Sequence, residues 1–145
     1  MESGTKKNAT PALDKIAHIG IAVRNLDEAL EVWRDKLGVD VEAIKELEDR
    51  GLHIAFLPVG ESYVELIAPL RESSEVSKFL DKRGPGVHHI CFGVADIEAS
   101  LSRYREAGLR VVQDEPQLGA EGFPVSFLHP KSTMGVLVEL LEERQ

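Results

Sequence analysis

The feature that most restricts this chain is a phrase that it repeats. Ile16-Ala17-His18-Ile19-Gly20-Ile21-Ala22-Val23 returns as Val87-His88-His89-Ile90-Cys91-Phe92-Gly93-Val94. His18 and His89 stand 71 positions apart, each third in its phrase. Both phrases are apolar and rich in β-formers, so both read as strands. Self-similarity at a fixed offset is the mark of a duplicated supersecondary unit. Any fold proposed for this chain must therefore account for two copies of one plan.

The copies agree beyond the first strand. Asn25 to Gly38 and Asp96 to Gly108 both read as amphipathic helices, with Leu26, Leu30, Trp33 and Leu37 matched by Ile97, Leu101 and Tyr104 at three- and four-residue spacing. Asn25 and Asp96 suit N-caps, and Gly38 and Gly108 suit left-handed C-terminal positions. Val39 and Leu109 then begin new strands. Each half closes on a turn and an apolar strand carrying one glutamate: Tyr63-Val64-Glu65-Leu66-Ile67 in the first, Val136-Leu137-Val138-Glu139-Leu140 in the second. Each half thus reads strand, helix, three strands, with histidine on the first strand and glutamate on the last.

Between the halves, Glu75 to Lys82 suits a short helix capped by Ser74 and broken at Gly84-Pro85-Gly86. The stretch from Asp114 to Phe123, with Pro116, Gly119 and Gly122, reads as a loop. Residues 1–14 read as a disordered tail without a signal-like apolar core. Residues 15–143 then form one domain: module one at about 15–70, a linker at 71–86 and module two at about 87–143. The net charge of −8, with no basic stripe, argues against nucleic acid and anionic membranes as partners. No apolar run approaches the roughly 20 residues of a membrane span. A single cysteine, Cys91, allows no internal disulfide and fits a cytoplasmic protein. Cys91 reads as a small core residue on the same face as His89.

A lone histidine in an apolar strand is more often a hydrogen-bonded core residue than a ligand. Glutamate in such a strand is harder to set aside, because an unpaired buried carboxylate is very costly. Neither Glu65 nor Glu139 has a cation beside it in sequence. Two histidines and two glutamates, placed alike in two copies, point to one shared cation. Imidazole with carboxylate suits Zn²⁺, Co²⁺, Fe²⁺, Mn²⁺ or Ni²⁺ rather than Ca²⁺. His88 faces opposite to His89 and is expected to pack or to support the site from behind. His53 reads as structural or solvent-facing, and His129 as a loop residue.

These residues resemble the vicinal-oxygen-chelate superfamily (glyoxalases, bleomycin-resistance proteins and dioxygenases), and within it the methylmalonyl-CoA epimerase family. The resemblance runs from about Lys15 to Glu142. It is carried by His18-Ile19-Gly20-Ile21-Ala22-Val23, Glu65-Leu66-Ile67-Ala68-Pro69-Leu70, Gly86-Val87-His88-His89-Ile90, Asp114-Glu115-Pro116, Phe127-Leu128-His129-Pro130-Lys131-Ser132 and Gly135-Val136-Leu137-Val138-Glu139-Leu140. It implies an α+β fold in which two βαβββ modules form an eight-stranded open curved sheet around a metal cleft. It also implies one divalent ion held by His18, His89, Glu139 and, at a position that is glutamine in some members, Glu65.

The activity so implied is a metal-dependent epimerase acting on methylmalonyl-CoA, with Glu139 and Glu65 as the catalytic acid/base pair. The acyl-CoA would be met by Lys131 and Ser132, with Arg71, Lys82 and Arg83 as equal candidates. The family habit of dimerising implies a homodimer. Some members carry a further glutamate where this chain has Ile54, which is a departure from their acid/base set. The rival readings on the same fold are a glyoxalase I-like lactoylglutathione lyase, an extradiol dioxygenase-like enzyme and a metal-free binding protein.

Overall fold

The computed structural model describes residues 13–143. The tail expected at residues 1–14 lies, but for Leu13 and Asp14, outside the described residues. In chain order the elements are β1 (Lys15–Ala22), α1 (Leu26–Leu30), a π-helical segment (Glu31–Lys36), β2 (Ala43–Leu47), β3 (Leu52–Val59), β4 (Ser62–Pro69), α2 (Glu75–Arg83), β5 (Gly86–Val94), α3 (Ile97–Glu106), β6 (Gln117–Leu118), β7 (Pro124–Leu128) and β8 (Val138–Glu142). Short 3₁₀ turns stand at Glu48–Arg50 and Pro130–Thr133. The architecture is α+β, two βαβββ runs whose eight strands form one sheet in the order β2-β3-β4-β1-β5-β8-β7-β6.

By contact density the described chain divides into two units, residues 18–89 and residues 13–17 with 90–143. In the first, β1 pairs parallel with β4, placing Gly20 beside Glu65, and β4 pairs antiparallel with β3, placing Phe56 across from Glu65. One face of these strands meets α1, where Leu26, Leu30, Ala55, Leu57, Leu66 and Ala68 form a buried cluster. Strand alternation puts His18, Gly20, Glu65, Phe56 and Ile54 on the other face. In the second unit, β5 pairs parallel with β8, Cys91 beside Glu139, and β8 pairs antiparallel with β7, Phe127 across from Glu139. There Val94, Ile97, Leu101, Leu128 and Leu140 form the core under α3. Cys91 is fully buried with Ala17, Val125 and Leu141, a core residue as its size and setting suggest.

The caps follow the sequence. Asn25, Ser74 and Asp96 each accept a hydrogen bond from the amide three residues on, at 2.9, 3.2 and 3.1 Å. Gly38, Gly84 and Gly108 all have positive φ. Three expectations need correction. The first helix does not run as one α-helix from Asn25 to Gly38: after Leu30 it widens, and the Leu37 amide bonds to the Val32 carbonyl five residues back. Trp33 still packs against the Leu26–Leu30 cluster, but the wider turn carries Leu37 off that face and leaves it 60% exposed. Nor do strands begin at Val39 and Leu109. The next strand after Gly38 is β2 at Ala43, and after Gly108 there is a single bridge from Val111 to Leu128 before the two-residue β6. That β6 lies inside the stretch expected to be loop throughout.

Candidate metal centre

His18 is the central residue. Its register on β1 sets it across from Tyr63, two residues short of Glu65 on the same face. Its Nδ1 lies 3.1 Å from Glu65 Oε2, and its Nε2 lies 3.0 Å from His89 Nε2. The two rings meet edge to face, 86° apart, with centroids at 5.1 Å. Glu65 is 6% exposed and His89 also 6%, so both contacts are shielded from water. In His18 the buried Glu65 carboxylate has a hydrogen-bond partner of the kind that burial demands. An ionised carboxylate only accepts, so His18 Nδ1 donates and the lone pair of a neutral ring falls on Nε2. This is the arrangement in which a carboxylate orients a metal-ligating imidazole.

His89 is held in place by what is missing opposite it. A Cβ built on Gly20 would come within 2.2 Å of His89 Cε1 and 2.6 Å of its Nδ1. No other residue type leaves that space. Behind His89, His88 Nδ1 lies 3.0 Å from His89 Nδ1, and the His88 ring stands edge-on to Phe79 with centroids 5.0 Å apart.

Glu139 sits on β8, 7% exposed, between Cys91 on β5 and Phe127 on β7. Donor atoms of His18, His89 and Glu139 lie within 4.8 Å of one another. Two imidazoles and a carboxylate suit a borderline divalent ion. The spacing of the imidazoles suits one too, since two nitrogens about 2.1 Å from a common ion and at right angles to each other are about 3.0 Å apart. The residues present fit a divalent cation.

The other expected site residues lie apart from this contact set. Lys131 is exposed on the 3₁₀ turn Pro130–Thr133. Ser132 Oγ accepts the Arg110 amide at 2.9 Å, so its hydroxyl ties the turn to the chain after α3. His129 Nδ1 accepts the Lys131 amide at 3.1 Å, a loop histidine as expected. Arg83 lies over the Phe79 ring at 5.8 Å, and Arg71 packs on Gly51. Ile54 is 3% exposed, on the face of β3 that carries Phe56, so this strand brings no acid toward Glu65. Sequence reasoning missed Gly20. Laying one half over the other matches it to Cys91, which gives no hint of a ring lying against it.

A model of the Glyoxalase/Bleomycin resistance protein/Dioxygenase superfamily matches residues 17–127, and the chain belongs to that superfamily. The ethylmalonyl-CoA/methylmalonyl-CoA epimerase of Cereibacter sphaeroides is 42% identical, over 88% of this chain and 97% of its own. The crystal structure of methylmalonyl-CoA epimerase from Mycobacterium tuberculosis superposes with a TM-score of 0.87 at 39% identity, covering 94% of this chain and 93% of that one. A Streptomyces coelicolor methylmalonyl-CoA epimerase in complex with 2-nitronate-propionyl-CoA is 43% identical with a TM-score of 0.86, covering 91% and 96%. Within the superfamily, the chain is a member of the methylmalonyl-CoA epimerase family.

Proposed function

We propose that this protein interconverts the two epimers of a 2-methylmalonyl thioester of coenzyme A, using a divalent ion held by His18, His89 and Glu139. The observation that carries the reading is the cluster of those three buried donors within 4.8 Å, in a chain whose relatives are named for this substrate. When bound, the ion supplies positive charge near the thioester and carboxylate oxygens, which makes the hydrogen on the carbon between them more acidic. His18 and His89 would hold it through their Nε2 atoms, and the burial of both residues would keep water from competing.

The proton itself is moved by carboxylates. One takes the α-hydrogen from its face, leaving the bonding pair in the substrate, and the other returns a proton on the opposite face. We assign these roles to Glu139 and Glu65. With Ile54 where some relatives have glutamate, they are the two acids this reading has to work with. For Glu65 to carry the proton, its bond to His18 Nδ1 must loosen while the carboxyl is protonated. The acyl-CoA is taken to meet Lys131 through its anionic groups and Ser132 through its hydroxyl, which accepts the Arg110 amide and keeps its own hydrogen to donate. A homodimer and a cytoplasmic location remain part of the proposal. Among the described residues, no helix is long and apolar enough to cross a membrane.

The test is incubation with one methylmalonyl-CoA epimer and Co²⁺ in D₂O. The expected outcome is deuterium at the α-carbon together with the opposite epimer. Glu65→Gln keeps an acceptor for His18 but removes one proton carrier, so deuterium should enter without inversion, with epimerisation slowed by about 100-fold or more. Turnover of the methylglyoxal–glutathione adduct, with none of methylmalonyl-CoA, assigns the site to the lyase reading instead.

A further inference from the structure

We infer that His88 is a positioning residue for the metal centre: its Nδ1 accepts the Nδ1–H of His89 and thereby keeps the His89 Nε2 lone pair free for the ion. The inference rests on the metal reading above and extends it to a residue that touches neither ion nor substrate.

A neutral imidazole has one N–H and one lone pair. An ion shared by His18 and His89 needs the lone pair of each at Nε2, because those are the two ring atoms that converge, 3.0 Å apart. Each ring must then carry its hydrogen on Nδ1. His18 has a built acceptor for that hydrogen in the Glu65 carboxylate, 3.1 Å away. The corresponding atom of His89 faces His88 Nδ1 at 3.0 Å. For that contact to be a hydrogen bond with the ion bound, His88 must present a lone pair at Nδ1 and keep its own hydrogen on Nε2.

The orientation of His88 is itself supported. Its ring stands at 69° to Phe79, and the Arg83 guanidinium lies over the same Phe79 ring. Helix α2, from the linker between the modules, thus braces the residue that braces the ligand. The two imidazoles are consequently unequal. His18 leans on a carboxylate acceptor, and His89 leans on a neutral ring.

The measurement is Zn²⁺ affinity of the purified full chain, by competition with a chromophoric chelator and without substrate. His88→Phe keeps an aromatic ring against Phe79 but has no acceptor, and should weaken Zn²⁺ binding by about 10- to 100-fold. His88→Asn, whose Oδ1 can stand where Nδ1 stands, should restore most of it. Equal binding by the parent and His88→Phe overturns the assignment. So does equal loss in both variants, which would mean that the ring's bulk is what matters.

A second reading needs no variant. In the Zn²⁺-loaded parent, ¹⁵N NMR should place the His89 proton on Nδ1, slow to exchange with water; a rapidly exchanging proton overturns the role even where a variant fails to fold. Absence of Zn²⁺ binding by the parent sinks the metal reading and this inference together. Loss of the Phe/Asn contrast sinks this inference alone.

Discussion

At residue 20, glycine is required by space rather than by backbone freedom. His89 lies where a side chain would begin, so Gly20→Ala should push the imidazole out of line with His18 while leaving the fold intact. A displacement of about 1 Å at a reacting centre costs on the order of 100-fold, and kcat/KM should fall by about that much with thermal stability little changed. Activity equal to the parent would show that His89 is free to move aside. The requirement is illegible in sequence because it comes from a residue 69 positions away. By contrast, His18, His89, Glu65 and Glu139 stand out from the text itself. Histidine and glutamate recur at matching places in otherwise apolar strands, where one occurrence alone would read as accident.

At the scale of elements, the strands that carry the glutamates and the N-caps of the helices were legible, and the helix interiors less so. The π turn after Leu30 is one example. Heptad-like spacing groups Leu37 with Trp33, but a bond from Leu37 to Val32 takes up an extra residue and turns Leu37 to solvent. Helix α3 keeps the regular form and ends in paired bonds, Gly108 to Arg105 and Leu109 to Tyr104, with Gly108 at positive φ.

This helix carries Tyr104 against the Leu101–Leu140 core, and burial raises the pKa of its phenol. The native state therefore holds that proton more tightly than the unfolded chain. The stability it contributes is complete below the unfolded value of about 10 and is lost as pH rises through the higher native value. Denaturant unfolding should show a midpoint that falls above about pH 10 in the parent and falls less in Tyr104→Phe. With only two tyrosines, absorbance titration can assign the shifted phenol directly. An unshifted Tyr104 would contradict the burial argument.

For the whole molecule, the proposal ties folding to ion binding. An ion that binds only the native state stabilises it by about 4 kcal/mol at a free concentration about 1,000 times Kd. Chelation should abolish epimerisation and lower the melting temperature, and Co²⁺ or Zn²⁺ should restore both. A melting temperature indifferent to the ion would count against a centre built from buried donors. The sequence by itself determined the duplicated βαβββ plan and the strands on which imidazole and carboxylate stand, because periodicity and repetition are local properties of the text. Tertiary structure alone decided that His18 meets Glu65 through Nδ1, that Gly20 makes room for His89, and that His88 meets His89 through Nδ1. Those relations depend on strand register and side-chain rotamer between residues far apart in the chain, and local pattern carries no record of either.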